Sequence, residues 1–273
     1  MSASEPRDNF GSGGAEPAAD LAELLDLAVT VAQEGAAIAR DPGRDLDVST
    51  KSNRNDLVTV ADRLVEQHIA ARLEAATGYP LLGEEGHTID TWDGRVWVLD
   101  PIDGTLNYVE TRRDYAVSLA LCENGTPVLA VVIDVVADLC YTAVRGGGAR
   151  CNGRPLPVAA DRALAEAVII TDVKELQALP RLARCVEDSR GHRRYGSAAL
   201  ECVAVATGQA GAFLHLRLSP WDVAAAALIC TECGIRVTRL DGVPLDLRWP
   251  GSVLAAPPRL HDELVHRLVV APY

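Results

Sequence analysis

The strongest constraint on this chain is an apolar run, Arg95-Val96-Trp97-Val98-Leu99, that breaks into Asp100-Pro101-Ile102-Asp103-Gly104-Thr105. Uninterrupted β-branched and aromatic residues read as a short buried strand. Pro101 has no N–H to give to a ladder, so the strand is expected to stop at Asp100. Two carboxylates, Asp100 and Asp103, then flank a tight turn at the strand's C-terminal end. One reading is an Asx-turn in which Asp103 caps a helix. The other is a cation site, because crowded carboxylates repel one another until a positive charge neutralises them. If Gly104 and Thr105 open a helix, their free N–H groups face the same space, and a metal-bridged phosphate fits both halves. These ten residues leave both readings open.

At 273 residues the chain can bury a sizeable core, as one large α/β unit or as two fused halves. Its net charge of −12 argues against nucleic-acid binding, which requires a basic face. It suits a protein that gathers acids around cations, and equally one with surplus surface glutamate. No apolar run approaches the length of a membrane span. Met1 to Ala19 lacks the apolar centre of a signal peptide, so the expectation is a disordered tail on a cytoplasmic protein. Seven cysteines, an odd number, do not make a secreted disulfide framework. Cys230-Thr231-Glu232-Cys233 has no second pair or His cluster to complete a zinc site and reads as buried helix thiols.

In chain order, Asp20 with Glu23 marks a helix start, with apolar residues at helical spacing as far as a breaker at Asp41-Pro42-Gly43. Thr59 caps a second helix running to about Ala76, with Asp62 in its first turn, where charge complementarity with the helix dipole is a sufficient role. Pro80-Leu81-Leu82 is a strand ending in Gly83-Glu84-Glu85-Gly86, adjacent acids that either stand in a solvated loop or are offset by a cation. Strands Tyr115 to Cys122, Val128 to Ile133 and Leu139 to Val144 follow as a meander, giving an α+β half with an antiparallel sheet. The second half reads as a strand at Ala167 to Thr171, a helix from Lys174 to Val186, and a helix from Ala198 to Thr207. A strand at Ala212 to Leu216 comes next, then a helix Val223 to Thr231 headed by Asp222 as a plain cap, two short strands and a closing helix.

Taken in order, Gly83-Glu84-Glu85, Asp100-Pro101-Ile102-Asp103-Gly104-Thr105 and Trp221-Asp222 resemble the inositol monophosphatase family of magnesium-dependent, lithium-sensitive sugar and polyol phosphatases. Lys51-Ser52 with Asp56 to Asp62, Gly147-Gly148-Ala149 with Asn152 to Pro155, and Gly196-Ser197-Ala198-Ala199 match as well. The likeness runs from Leu21 to Val270. It implies an α+β fold, a layered αβαβα sandwich of the inositol monophosphatase and fructose-1,6-bisphosphatase type, with halves at residues 20–160 and 161–273. It implies a homodimer acting on a small-molecule phosphate ester. The resemblance further assigns Glu84, Asp100 and the Ile102 carbonyl to a first magnesium, and Asp100, Asp103 and Asp222 to a second. A third, weaker ion would lean on Glu84, which counts among the catalytic groups, and Li+ would inhibit. Gly104 and Thr105 N–H groups would bind phosphate, while Thr105 and Asp62 would polarise the attacking water.

One departure stands out. Seven residues before Asp222, where many members carry a glutamate that binds substrate hydroxyls, this chain has His215, with Arg217 following. His215 and Arg217, with Ser197 and Lys51, are the expected substrate-side residues. A histidine charged in mildly acidic medium, beside an arginine, would suit a more anionic alcohol. Inositol phosphates, fructose 1,6-bisphosphate, histidinol phosphate, glycerol phosphate and nucleotide 3′-phosphates all stay open. Two rival readings stand beside these: a haloacid-dehalogenase-type phosphatase, whose Asp-x-Asp turn is one residue shorter, and an inactive scaffold.

Overall fold

The computed structural model describes residues 18–41, 49–50 and 57–270. Lys51 and the tail to residue 17 lie outside the described residues. Helix α1 (Ala18–Arg40) begins two residues before Asp20. It buries Leu24, Ala28, Val31, Ala32, Ala36 and Ala39, a single stripe at helical spacing. Strands β1 (Ser49–Thr50) and β2 (Leu57–Val58) pair and lead into α2 (Val60–Thr77). Thr59 caps α2, Asp62 completes a capping box, and Gly78 ends the helix in the left-handed conformation.

A seven-stranded sheet follows in sequential order: β3 (Leu81–Gly83), β4 (Arg95–Asp103), β5 (Ala116–Glu123), β6 (Thr126–Asp134), β7 (Leu139–Val144), β8 (Gly148–Cys151) and β9 (Arg154–Pro155). The short helix α3 (Thr105–Glu110) leaves β4 directly. The second sheet is built from β10 (Val168–Ile170), β11 (Gly191–Arg193), β12 (Ala212–Leu218), β13 (Arg236–Thr238) and β14 (Gly251–Ala256), in the order β11-β10-β12-β14-β13. Its helices are α4 (Val173–Ala178), α5 (Pro180–Asp188), α6 (Ala198–Ala206), α7 (Pro220–Glu232) and α8 (Pro258–Val265).

The elements stack as the expected αβαβα sandwich. Helices α1 and α2 cover one face of the large sheet over Trp97, Leu99, Leu119 and Leu121. Helices α6 and α7 fill the space between the sheets, and α5 and α8 close the outer face of the small one over Leu182, Leu254 and Leu260. This explains why Val223 to Cys230 is apolar all round: α7 has a sheet on both sides. Cys230 and Cys233 are buried in the same layer, where burial pushes the Cys233 thiol up to about 11. Among the described residues no helix is long and apolar enough to cross a membrane.

Four local expectations change. Strand β4 does not stop at Asp100 but runs on to Asp103, because the ladder with β5 shifts register between these residues and Pro101 sits in the irregularity, where no donor is required. The large sheet is not wholly antiparallel, since β3 and β4 are parallel. The helix read over Lys174 to Val186 is two helices, broken at Leu179-Pro180, where proline cannot continue the α4 ladder but suits the first turn of α5. Helix α7 starts at Pro220, so Asp222 is its third residue and Ser219 the cap.

Candidate active site

The parallel pairing of β3 with β4 brings the first two acids together. Gly83 lies opposite Leu99, so the next residue on each strand, Glu84 and Asp100, emerges at the same end. An antiparallel pair would have put them at opposite ends of the sheet. Asp100 is 1% exposed, with Oδ1 accepting from the Ile102 N–H at 3.1 Å. Burial holds its carboxyl well above the usual range, and the charges of Glu84, Asp103 and Asp222 push it the same way. The Glu84 loop is gripped by Glu66, which reaches across from α2. Glu66 is buried and accepts from the Glu85 N–H at 2.8 Å and the His87 N–H at 3.2 Å, with His87 Nδ1 at 2.7 Å. A Cβ on Gly83 would lie 2.4 Å from Glu66 Oε2, so this approach requires glycine.

Asp103 crosses from the large sheet to the middle layer. Its Oδ1 accepts from the Ala198 N–H at 3.1 Å, and its Oδ2 from the Ser197 hydroxyl and the Ala199 N–H, each at 2.6 Å. Burial raises this carboxyl to about 7, against the pull of those donors. The expected place of Ser197 on the substrate side changes: it is fully buried and its hydroxyl is spent on Asp103. Asp222 Oδ2 accepts from the Ser219 N–H at 2.6 Å in the first turn of α7.

Asp62 and Thr105 meet between α2 and α3. Thr105 Oγ1 is 3.1 Å from Asp62 Oδ1 and 3.1 Å from the Ile102 carbonyl oxygen. Asp62 Oδ2 accepts from the Thr59 N–H at 2.8 Å and the Thr59 hydroxyl at 2.5 Å. Burial raises the Asp62 carboxyl, and the hydrogen bonds from Thr59 and Thr105 oppose the shift. Gly104 heads α3 at φ 95°, and a Cβ there would meet the Asp114 carbonyl at 3.0 Å. The first N–H groups of α3 have no partner within the helix.

The parallel strands β10, β11 and β12 end at the same mouth. Asp172 and Arg194 stand just beyond β10 and β11, His215 and Arg217 lie in the second half of β12, and Lys174 is in the first turn of α4. Arg194 Nε donates to Asp172 Oδ2 at 2.5 Å. His215 is half-buried, and burial lowers its pKa against the pull of Glu175 and Asp172, away from the charged ring expected in mildly acidic medium. Glu66, Lys174, Glu175 and Arg194 are functional candidates that the sequence reading passed over. The signal for Glu66 was present, since it follows Asp62 by one helical turn and so shares its face.

Two adjoining cavities form the site. One, of 540 Å³, is lined by Glu84, Asp100, Ile102, Asp103, Gly104, Thr105 and Asp222, among others. The other, of 390 Å³, shares Asp103 and Asp222 and adds Glu201, His215 and Arg217. A larger cavity of 620 Å³ between α1 and β7–β8 contains no such cluster of acids, its Asp138 being paired with Arg40. Among the described residues no three acidic, His or Cys side chains already form a closed metal cage. Asp103 and Asp222 each accept from backbone N–H groups, which lowers the cost of taking a carboxylate out of water.

A layered αβαβα sandwich with an acid-lined cleft beside a helix N-terminus suits the hydrolysis of a phosphate ester. Comparison with known proteins narrows it. The model of the inositol monophosphatase family matches residues 20–271. The inositol-1-monophosphatase of Bacillus subtilis is 38% identical over 242 residues, covering 86% of this chain and 91% of that protein. An inositol monophosphatase/NADP phosphatase solved with Mg2+ and phosphate superposes with a TM-score of 0.86 at 27% identity, covering 92% of this chain and 97% of the other. A lithium-chloride inhibitory complex of staphylococcal inositol monophosphatase-1 also gives 0.86, at 28% identity with 92% and 96% covered. The chain belongs to the inositol monophosphatase family and is a phosphoric monoester hydrolase.

Proposed function

We propose that the protein hydrolyses the phosphate monoester of a small polyol or sugar, of the inositol 1-phosphate type, with magnesium and an activated water. The observation that carries this reading is Asp100, 1% exposed and facing Glu84, Asp103 and Asp222. Like charges crowded in a buried corner must be offset, by protonation or by a cation among them. The donor set fits magnesium, being oxygen throughout and open to a cavity that leaves room for water and phosphate. Glu84, Asp100 and the Ile102 carbonyl would hold one ion, Asp100, Asp103 and Asp222 a second, and Glu84 would contribute to a third. When bound, the ions supply a more acidic water and charge stabilisation for the departing oxygen.

The chain supplies the rest. Thr105 Oγ1 accepts a hydrogen bond from the water and relays the proton toward Asp62 Oδ1, 3.1 Å away. Asp62 is held for this by Thr59, which occupies its other oxygen. Gly104 and Thr105 N–H groups orient the phosphate oxygens at the head of α3. The alcohol leaves toward the cavity lined by His215 and Arg217. Lithium inhibition and a homodimer follow from the family resemblance and belong to this reading, as does a cytoplasmic location. Fructose-1,6-bisphosphatase, histidinol-phosphatase and nucleotide 3′-phosphatase activities are the alternatives within the family.

The test is phosphate release from inositol 1-phosphate with magnesium, abolished by a chelator, in water enriched in ¹⁸O. A single turnover should place the label in phosphate and none in protein. A trapped acyl-phosphate, or label in a carboxylate, would overturn the direct-water mechanism.

A further inference from the structure

Three stretches of backbone converge at the head of α3. A Cβ on Gly104 would meet the Asp114 carbonyl oxygen at 3.0 Å and the Gly196 carbonyl oxygen at 3.3 Å. Helix α3, the loop that follows it and the turn before α6 therefore touch at this point. One side chain ties them together. Asn107 Nδ2 donates to the Asp114 carbonyl at 2.8 Å and to the Tyr195 carbonyl at 2.6 Å. Only the amide nitrogen can face two carbonyl oxygens, so these partners fix which way the amide points. Gly196, at φ 88°, packs so close that a Cβ there would lie 3.1 Å from Asn107 Nδ2.

The loop needs such a tie. Arg112 and Asp114 are left-handed, at φ 57° and 54°, a conformation that residues with a Cβ keep only where their surroundings impose it. The Asn107 main-chain carbonyl accepts from the Arg112 N–H at 2.8 Å, and its side chain holds the Asp114 carbonyl. Ahead of α6, the peptide joining Tyr195 to Gly196 is gripped at both ends. Asn107 holds its carbonyl. Glu201, buried on α6, holds its N–H at 2.8 Å and that of Tyr195 at 2.5 Å, both on Oε1. Ser197, Ala198 and Ala199 follow at once, and these are the donors to Asp103. Asn107 itself lines neither cavity of the site. We propose that Asn107 and Glu201 are positioning residues, a brace that sets the phosphate-binding head of α3 against the head of α6 and so fixes the phosphate donors relative to the acidic corner. This deepens the phosphatase reading and rests on it.

The test is calorimetric titration of inorganic phosphate with magnesium present, alongside turnover of inositol 1-phosphate. Asn107→Asp keeps the shape but turns a carboxylate oxygen on two carbonyl oxygens. Phosphate affinity and kcat should each fall by about tenfold or more, because a small displacement of positioned donors is costly. Asn107→Ala, which adds no charge, should weaken both in the same direction. Glu201→Leu should do the same, and Glu201→Gln, which keeps Oε1 as an acceptor, should recover most of that loss. Since both residues hold one peptide, the double variant of Asn107→Ala and Glu201→Leu should be little worse than either single. Thermal melting identifies the folded variants. Wild-type phosphate affinity in folded Asn107→Ala and Glu201→Leu, with only the melting temperature lowered, would overturn the inference. Losses that multiply in the double variant would overturn it too. Wild-type protein that binds phosphate but hydrolyses no phosphate ester would instead strike the phosphatase reading, and the affinities would still judge the brace.

Discussion

The two sheets end at the same cleft but treat their polar groups in opposite ways. At the end of the large sheet Asp62, Asp100 and Asp103 are buried, Glu84 and Thr105 are half-buried, and the contacts are over-determined: Asp62 accepts from three donors, Asp103 from three, and the Glu84 loop is clamped by Glu66. At the end of the small sheet Lys174, Arg194 and Arg217 are exposed on long flexible stems, and order comes from Glu175 and His215, which accept from the N–H groups of Leu216 and Arg217. A rigid corner suits a group common to all substrates, the phosphate under attack. An adjustable wall suits the part that differs between substrates.

This contrast predicts a gradient of mutational effect. Asp100→Asn should abolish turnover, since it removes charge from the centre of the acidic corner. Retention of about a tenth of wild-type kcat would place Asp100 outside the reaction. Next in size, Asp62→Asn and Thr105→Ala should each lower kcat by about 10²-fold with little change in magnesium requirement. The double variant should be no worse than the poorer single, and losses that multiply would show two separate functions.

Glu66→Gln tests the clamp. Its Nε2 cannot accept from the Glu85 or His87 N–H, so the magnesium concentration for half-maximal activity should rise by about tenfold or more. An unchanged requirement would mean that the Glu84 loop keeps its shape without Glu66. The smallest effect concerns His215. Burial depresses its pKa below the ordinary value of about 6.5, so the neutral ring predominates above that pH. The ratio of kcat/KM between wild type and His215→Asn should therefore be flat from about pH 7 to pH 8. A ratio that titrates in this window would show that His215 carries charge to the substrate.

The same contrast governs what the sequence could disclose. Asp100, Asp103 and Thr105 were legible because strand, turn and helix head are contiguous, and Gly83-Glu84 and Asp222 because each sits at an element end marked by glycine or proline. Glu66 and Glu175 were not, because their roles depend on segments 19 to 41 residues away in the chain, which no local pattern reports. The parallel register of β3 and β4 lay beyond periodicity for the same reason. Ser197 was recognised as part of a motif, but its direction depends on Asp103, 94 residues earlier.

The three hydrogen bonds from α6 to Asp103 have a mechanical consequence. Asp103 ends a strand of the large sheet, while α6 lies in the middle layer between both sheets. The carboxylate acts as a latch across the layers, and swinging the small sheet away like a clamshell would strip it of all three donors at once. A hinge motion that parted the two sheets would therefore cost a buried carboxylate its donors, and the latch opposes it.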